Sequence, residues 1–190
     1  MQIGDNIPEF SLMDQNGIQR TNRGLKKPLV LFFYPKDDTP GCTIEVCGFR
    51  DKYDLFKVLG AEVWGVSNGS TSSHLAFANK NKLQYPLLSD INDSLRNTFK
   101  VPKVLGLIDW RVTYIIDRDG EVKHIFRDLL NGPQHIKEAI RVLKEIQNQW
   151  INYYERPYIK LLCFNIVFSD KSNWWRKWEC KLLMLQLRRE

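Results

Sequence analysis

The chain has 190 residues, 43% apolar and 26% charged, with 11 Gly and 8 Pro, which excludes a disordered or collagen-like polypeptide and suits one domain of about 150 residues carrying an appendage. Its net charge of +6 is uneven: residues 1–150 hold 20 Lys/Arg against 18 Asp/Glu, and residues 151–190 hold 8 against 4. The body therefore has no field suited to nucleic acid, and four cysteines without paired C-x-x-C spacing exclude a disulfide scaffold and a zinc module.

The first five residues, Met-Gln-Ile-Gly-Asp, carry neither a basic and apolar leader nor a transit-peptide pattern. A cytoplasmic protein is expected, or one of the plastid lumen or stroma if a leader has been removed. No apolar run approaches the roughly 18 residues of a spanning helix, so an integral membrane protein is excluded. Leu29 to Tyr34 is a continuous apolar run closed by Pro35, the pattern of a strand buried on both faces. After the turn-rich Lys36 to Gly41, apolar residues at Cys42, Val46, Phe49, Tyr53, Phe56 and Leu59 step by three and four. They predict one helix from Cys42 to Leu59, stopped by Gly60.

Ala61 to Ser67 alternates as a strand, and Ser72 to Lys82 predicts a helix with Leu75, Ala76, Ala78 and Asn79 inward. This alternation implies a parallel sheet with crossover helices. Arg111 to Ile116 and Val122 to Phe126, joined by Asp117-Arg118-Asp119-Gly120, predict a hairpin that makes the sheet mixed. Pro133 opens a helix whose apolar face is Ile136, Ala139, Ile140, Leu143 and Ile146. The pattern closes as one domain, 1–149. Residues 150–190 form a basic extension holding Trp174, Trp175 and Trp178, read as loosely ordered ahead of an amphipathic surface element or a segment without selected function. Its basic and aromatic composition suits an anionic membrane surface, on composition alone. Cys163 and Cys180 read as spare thiols.

The chemistry concentrates in Pro35-Lys36-Asp37-Asp38-Thr39-Pro40-Gly41-Cys42, which places a thiol in the first turn of a helix directly after a buried strand. Helix starts present unpaired backbone N–H groups and positive dipole, which favour a thiolate and, with the Thr39 hydroxyl, can hold an oxygen substrate against sulfur. Asp37 and Asp38 weigh against this through their charge, and a buried structural cysteine is the competing reading. Cys47 lies five residues on. In an unbroken helix the two Cα atoms are about 8.7 Å apart, beyond the roughly 7 Å a disulfide tolerates. A bond between them therefore needs the helix start to unwind; the alternative is two independent thiols. A metal site is disfavoured, because His74, His124 and His135 are scattered along the chain.

The stretch Phe33-Tyr34-Pro35-Lys36-Asp37-Asp38-Thr39-Pro40-Gly41-Cys42-Thr43-Ile44-Glu45-Val46-Cys47-Gly48-Phe49-Arg50-Asp51 resembles the active-site segment of the peroxiredoxins, specifically the bacterioferritin comigratory protein or peroxiredoxin Q subfamily. The resemblance extends to Gly4-Asp5-Asn6-Ile7-Pro8-Glu9-Phe10, Gly65-Val66-Ser67, Tyr85 to Asp90 and Arg111 to Asp117, covering roughly residues 2–148. It implies an α/β, thioredoxin-like fold with a central mixed β-sheet covered by helices on both faces. It also implies a cofactor-free thiol peroxidase acting on hydrogen peroxide and alkyl hydroperoxides, in antioxidant defence and redox homeostasis. By resemblance Cys42 takes the peroxidatic position, Pro35 and Thr39 complete the Pro-x-x-x-Thr-x-x-Cys motif, and Arg111 matches the arginine over the thiolate. Thr39, Gly41, Cys42 and Arg111 would contact substrate. Cys47 takes the resolving position, forming a disulfide with Cys42 that thioredoxin or a similar dithiol reduces.

Four further expectations attach to this reading. Where the family has Pro-Gly before the arginine, this chain has Asp109-Trp110, so Asp109 is expected to compete for the charge of Arg111. Glu45 is expected to be an exposed first-turn acid rather than a partner of Arg111, and Trp64 a core residue. An internal resolving thiol needs no second subunit, so a monomer is expected. The rival reading is a redox-inactive thioredoxin-like binding or holdase protein acting through the extension, and retention of Pro35, Thr39, Cys42 and Arg111 together argues against it.

Overall fold

The computed structural model describes residues 1–104 and 108–154. In chain order the elements are β1 (Ser11–Met13), β2 (Gln19–Thr21), β3 (Leu29–Phe33), α1 (Pro40–Asp51), α2 (Tyr53–Val58), β4 (Glu62–Ser67), α3 (Thr71–Asn81), β5 (Leu87–Ser89) and α4 (Ser94–Thr98). There follow β6 (Lys103–Val104), β7 (Ile108–Asp109), β8 (Val112–Ile116), β9 (Val122–Arg127) and α5 (Gly132–Tyr154). The main sheet has the order β5-β4-β3-β8-β9. β3, β4 and β5 run parallel, while β8 is antiparallel to both β3 and β9. The mixed α/β sheet expected from the alternation is present, with β3 at its centre and every residue of that strand buried.

Strand alternation divides the core in two. On one face Leu29, Leu31 and Phe33 join Trp64, Val66, Leu88, Val112, Tyr114 and Ile116, packed against Phe10 and against Leu95 and Phe99 from the α4 region. Trp64 is a core residue, as expected, its ring edge-on to Phe10. On the other face Phe32 stacks on Phe49 of α1 at 4.4 Å between ring centroids, a pairing worth about 0.5–1.5 kcal/mol beyond its buried area. α5 reaches this layer at Ile136, whose Cδ1 lies where a Cβ on Gly48 would stand 3.0 Å away. Helices therefore cover both faces. The β5 edge is covered by the amino-terminal segment: the Gln15 side chain donates to Tyr85 O and accepts from Leu87 N.

Three boundaries differ from the periodicity. The single helix expected from Cys42 to Leu59 begins at Pro40 and divides at Lys52, whose ψ of 7° leaves the helical region. Neither Gly nor Pro marks the break, and apolar spacing continues across it because Phe49 and Phe56 still meet at 5.7 Å. In α3 the inward residues are His74, Phe77, Ala78 and Asn81, whereas Leu75, Ala76 and Asn79 are exposed. Two polar residues with partners inside the fold take the buried face that hydrophobicity alone assigned elsewhere. In α5, Val142 is buried and Ile140 only half-buried. The hairpins β1–β2 and β6–β7, with the short elements β5 and α4, lay below what pattern reading resolved. Residues Met1–Ile146 pack as one compact unit, and residues 155–190 of the extension, with Cys163, Cys180, Trp174, Trp175 and Trp178, lie outside the described residues.

Candidate active site

The site forms where β3 ends and β8 begins. Antiparallel pairing sets Phe33 opposite Val112, so the residues just beyond, the loop from Tyr34 and the segment before Val112, emerge side by side at one end of the sheet. The first carries Cys42 and the second carries Arg111. Sequence separation of 69 residues thus becomes contact: Arg111 Nη2 donates to Cys42 Sγ at 3.7 Å, with both side chains buried.

Local chemistry shapes the loop. Asp38 adopts φ +56°, a left-handed conformation that aspartate tolerates better than most residues. Thr39 is the residue before α1, with extended backbone at φ −87° and ψ 145°. Its hydroxyl donates to Lys36 O at 3.1 Å and makes no capping bond to the helix. Pro40 opens α1, where its missing N–H costs nothing, and Cys42 falls in the first turn. Gly41 permits the guanidinium to come close, since a Cβ there would stand 3.3 Å from Arg111 Nη2. Pro35, two residues beyond the end of β3, is half-buried.

The two carboxylates that weighed against a reactive thiol are engaged elsewhere. Asp37 accepts from Tyr34 Oη at 2.7 Å and Ser73 Oγ at 2.6 Å, and pairs with His74 Nδ1 at 2.8 Å. Burial works to raise the Asp37 carboxyl, but the hydrogen bonds of His74 and Ser73 outweigh it and hold the group below its usual range. Asp38 meets Lys80 at 2.6 Å. Both contacts tie the loop to α3, so each negative charge has its own partner.

Glu45 overturns its expectation. It is fully buried and forms an ion pair with Arg111 Nη1, because the helix face that turns Cys42 inward also carries the residue three positions on. Asp109, expected to compete for Arg111, instead lies 3.7 Å from Arg96 and 3.4 Å from Lys103. Arg111 also donates from Nε to Leu129 O at 3.3 Å, so the guanidinium is held on three sides and can offer directed hydrogen bonds to an oxygen beside sulfur.

Behind it stands His135, which spacing gave no reason to place here. Its Nε2 donates to Asp128 O at 2.8 Å, and its Nδ1 accepts from Thr113 Oγ1 at 2.7 Å, an assignment fixed by these partners. Burial lowers the imidazole to about 4, so it is neutral at physiological pH. Glu45 Oε1 lies 3.7 Å from Nδ1 and has no hydrogen-bond partner. Burial pushes Glu45 up to about 8 against the pull of the Arg111 charge.

A carboxyl that binds its proton more tightly folded than unfolded adds stability below its ordinary value of 4.5, and that contribution fades as pH rises towards about 8. Glu45→Gln cannot ionise and lacks the dependence. The melting temperature of the parent minus that of Glu45→Gln is therefore expected to fall as pH rises through this window. A difference that stays flat or grows with pH contradicts the assignment.

Cys47 is one turn further along α1 and apart from Cys42; both are free thiols. Its Sγ donates to Asn81 Oδ1 at 3.6 Å on α3. The structure thus brings Cys42, Gly41 and Arg111 together, keeps Thr39 and Pro35 in the loop that presents Cys42, and sets Cys47 aside. Chemically, a buried sulfur at a helix start facing a fixed guanidinium is suited to attack an electrophile whose leaving oxygen becomes negative.

Comparison with known proteins bears on the same segment. Residues 3–125 match the model of the AhpC/TSA family. A chloroplastic peroxiredoxin Q of Sedum lineare is 42% identical over 146 residues, 76% of this chain and 78% of the relative. That of Arabidopsis thaliana is 45% identical over 143 residues, 74% of this chain and 66% of the relative. Among solved structures, the peroxidoxin BcpB of Mycobacterium tuberculosis superposes with a TM-score of 0.72 at 35% identity, covering 77% of this chain and 98% of that one.

Proposed function

The chain belongs to the AhpC/TSA family, among its peroxiredoxin Q members, and on that premise we propose that Cys42 is its peroxidatic thiol and Cys47 its resolving thiol. As a thiol peroxidase it is an oxidoreductase that takes peroxides as substrates and electrons from a thiol reductant. The observation that carries the residue assignment is the buried contact of Arg111 Nη2 with Cys42 Sγ.

In the first step the Cys42 thiolate attacks the hydroxyl oxygen of hydrogen peroxide or an alkyl hydroperoxide. The S–O bond forms, the O–O bond breaks, and the leaving oxygen takes up a proton to depart as water or alcohol. The Arg111 guanidinium and the backbone N–H groups of the first turn of α1 stabilise the charge that moves onto that oxygen. Thr39 and Gly41 line the approach, and Pro35 shields the base of the loop. In the second step the Cys47 thiol condenses with the Cys42 sulfenic acid, forming S–S and releasing water. Two residues five apart on an intact α1 cannot meet, so its first turn must open. The absence of a side-chain cap at Thr39 supports that opening. Thioredoxin or a similar dithiol then reduces the disulfide. One subunit completes the cycle, which supports a monomer. The chloroplastic relatives support a plastid setting ahead of the cytoplasmic expectation.

The test is peptide-level mass spectrometry of reduced protein after seconds with one equivalent of hydrogen peroxide. The expected product has lost two hydrogens, mapped to Cys42 with Cys47. Cys47→Ser is expected to stop after one turnover with a trappable sulfenic acid on Cys42. A disulfide formed with any other cysteine refutes the resolving role of Cys47, and a Cys42 that stays a thiol refutes the peroxidatic one.

A further inference from the structure

The end of β3 and the start of β8 are joined by a second arginine, one that takes no part in the family motif described above. Arg96, in α4, is fully buried, yet its guanidinium donates from Nη2 to Tyr34 O at 3.0 Å and from Nη1 to Trp110 O at 3.3 Å. Tyr34 immediately precedes Pro35 and the loop of Cys42; Trp110 immediately precedes Arg111. The planar fork of an arginine is suited to such a bridge, and a lysine is not.

Arg96 is itself rigidly placed. Asp90, whose N–H donates to Ser67 O at the end of β4, accepts from Arg96 N at 2.8 Å, Leu95 N at 3.1 Å and Ser94 Oγ at 2.9 Å. The guanidinium also lies 5.5 Å from the centre of the Phe33 ring. A line of contacts therefore runs from the end of β4 through α4 to both halves of the site.

The charge of Arg96 is under-compensated. Asp93 and Asp109 reach its Nε only at 3.7 Å each. Both are shared with Lys103, which approaches Asp93 to 2.8 Å and Asp109 to 3.4 Å. Burial drives the guanidinium below its usual value, and Asp109, Asp93, Asp90 and Cys42 pull it back.

We propose that Arg96 is a positioning residue of the peroxide reaction: by bonding Tyr34 O and Trp110 O together it sets the gap between the Cys42 loop and Arg111. The proposal rests on Cys42 being the reacting thiol, and the parent protein alone tests that premise. If peroxide leaves Cys42 of the parent unmodified, the premise fails before any variant is compared.

The experiment measures the second-order rate of Cys42 oxidation by hydrogen peroxide, by peptide-resolved trapping of remaining thiol, in the parent, Arg96→Met, Arg96→Lys and Arg111→Met, and in Arg111→Met combined with each Arg96 substitution. Loss of a bridge that acts by placing Arg111 is expected to slow the reaction about tenfold in the parent background, for Arg96→Met and Arg96→Lys alike, and to cost little once Arg111 is gone. Arg96→Lys keeps the charge without the planar fork, which keeps the test decisive should Arg96→Met fail to fold. A folded Arg96→Lys variant with the parent rate overturns the proposal, as does an equal loss in the presence and absence of Arg111.

Discussion

Replacing Cys42 by serine is expected to abolish peroxide consumption while leaving the fold in place. Sulfur and oxygen differ little in size, and a serine hydroxyl can still accept the hydrogen bond that Arg111 Nη2 directs at Sγ, so the destabilisation should stay near or below about 1 kcal/mol. Reactivity is another matter. A serine hydroxyl remains protonated at neutral pH, and oxygen cannot take up the two-electron oxidation that turns a thiolate into a sulfenic acid. The loss should therefore be complete within detection, at least about a thousandfold. The measurement is peroxide consumption with an excess of dithiol, beside a thermal melt of the same sample. Multiple turnovers by a folded Cys42→Ser protein would remove Cys42 from the chemistry and with it the reading of the whole loop.

Arg111→Met carries the next largest effect. Taking away a preorganised donor at a developing oxyanion typically costs about 10²–10³ in rate, and Glu45 and Leu129 O fix the Arg111 guanidinium for the role proposed above. The single substitution also strands Glu45, a fully buried carboxyl that keeps only His135 nearby, so part of any loss would be structural. Arg111→Met combined with Glu45→Gln separates the two. Stability is expected to recover in the double variant, since its buried amide, unlike the carboxyl, needs no proton to be buried neutral, while the rate stays low. If rate and stability recover together, Arg111 serves the packing of the site and not the reaction.

The coupling between these residues explains which parts of the site were legible in the sequence. Cys42 and its loop could be read because everything that makes them distinctive is local: a buried strand, a turn, Pro40 at a helix start, and a thiol in the first turn. The relation of Cys42 to Cys47 was equally local, since helix geometry alone says that residues five apart cannot bond without motion. Arg111 was legible only by resemblance; as a residue before a strand it carries no signal of its own. Glu45 was misread because charge and position in a first turn favour exposure, and only the arrival of Arg111 from another strand makes burial of its carboxyl tolerable. For Asp109 the error ran the other way: proximity in sequence suggested Arg111 as its partner, but the fold brings the side chain to Arg96 and Lys103 instead.

By itself the sequence determined the elements whose stability is written in short-range patterns. These are the central strand β3, the crossover alternation through β4, the β8–β9 hairpin, and the amphipathic face of α5, each following from the periodicity of apolar residues and from turn chemistry. Tertiary structure alone decided which polar groups those elements bury together. Antiparallel register between β3 and β8 delivers Arg111 to Cys42, α5 delivers His135 to Glu45 and Thr113, and α3 delivers His74 to Asp37. Nothing local foretells such meetings, because the cost of burying a charged or polar side chain is offset only by partners that lie tens of residues away and come within reach when the sheet closes.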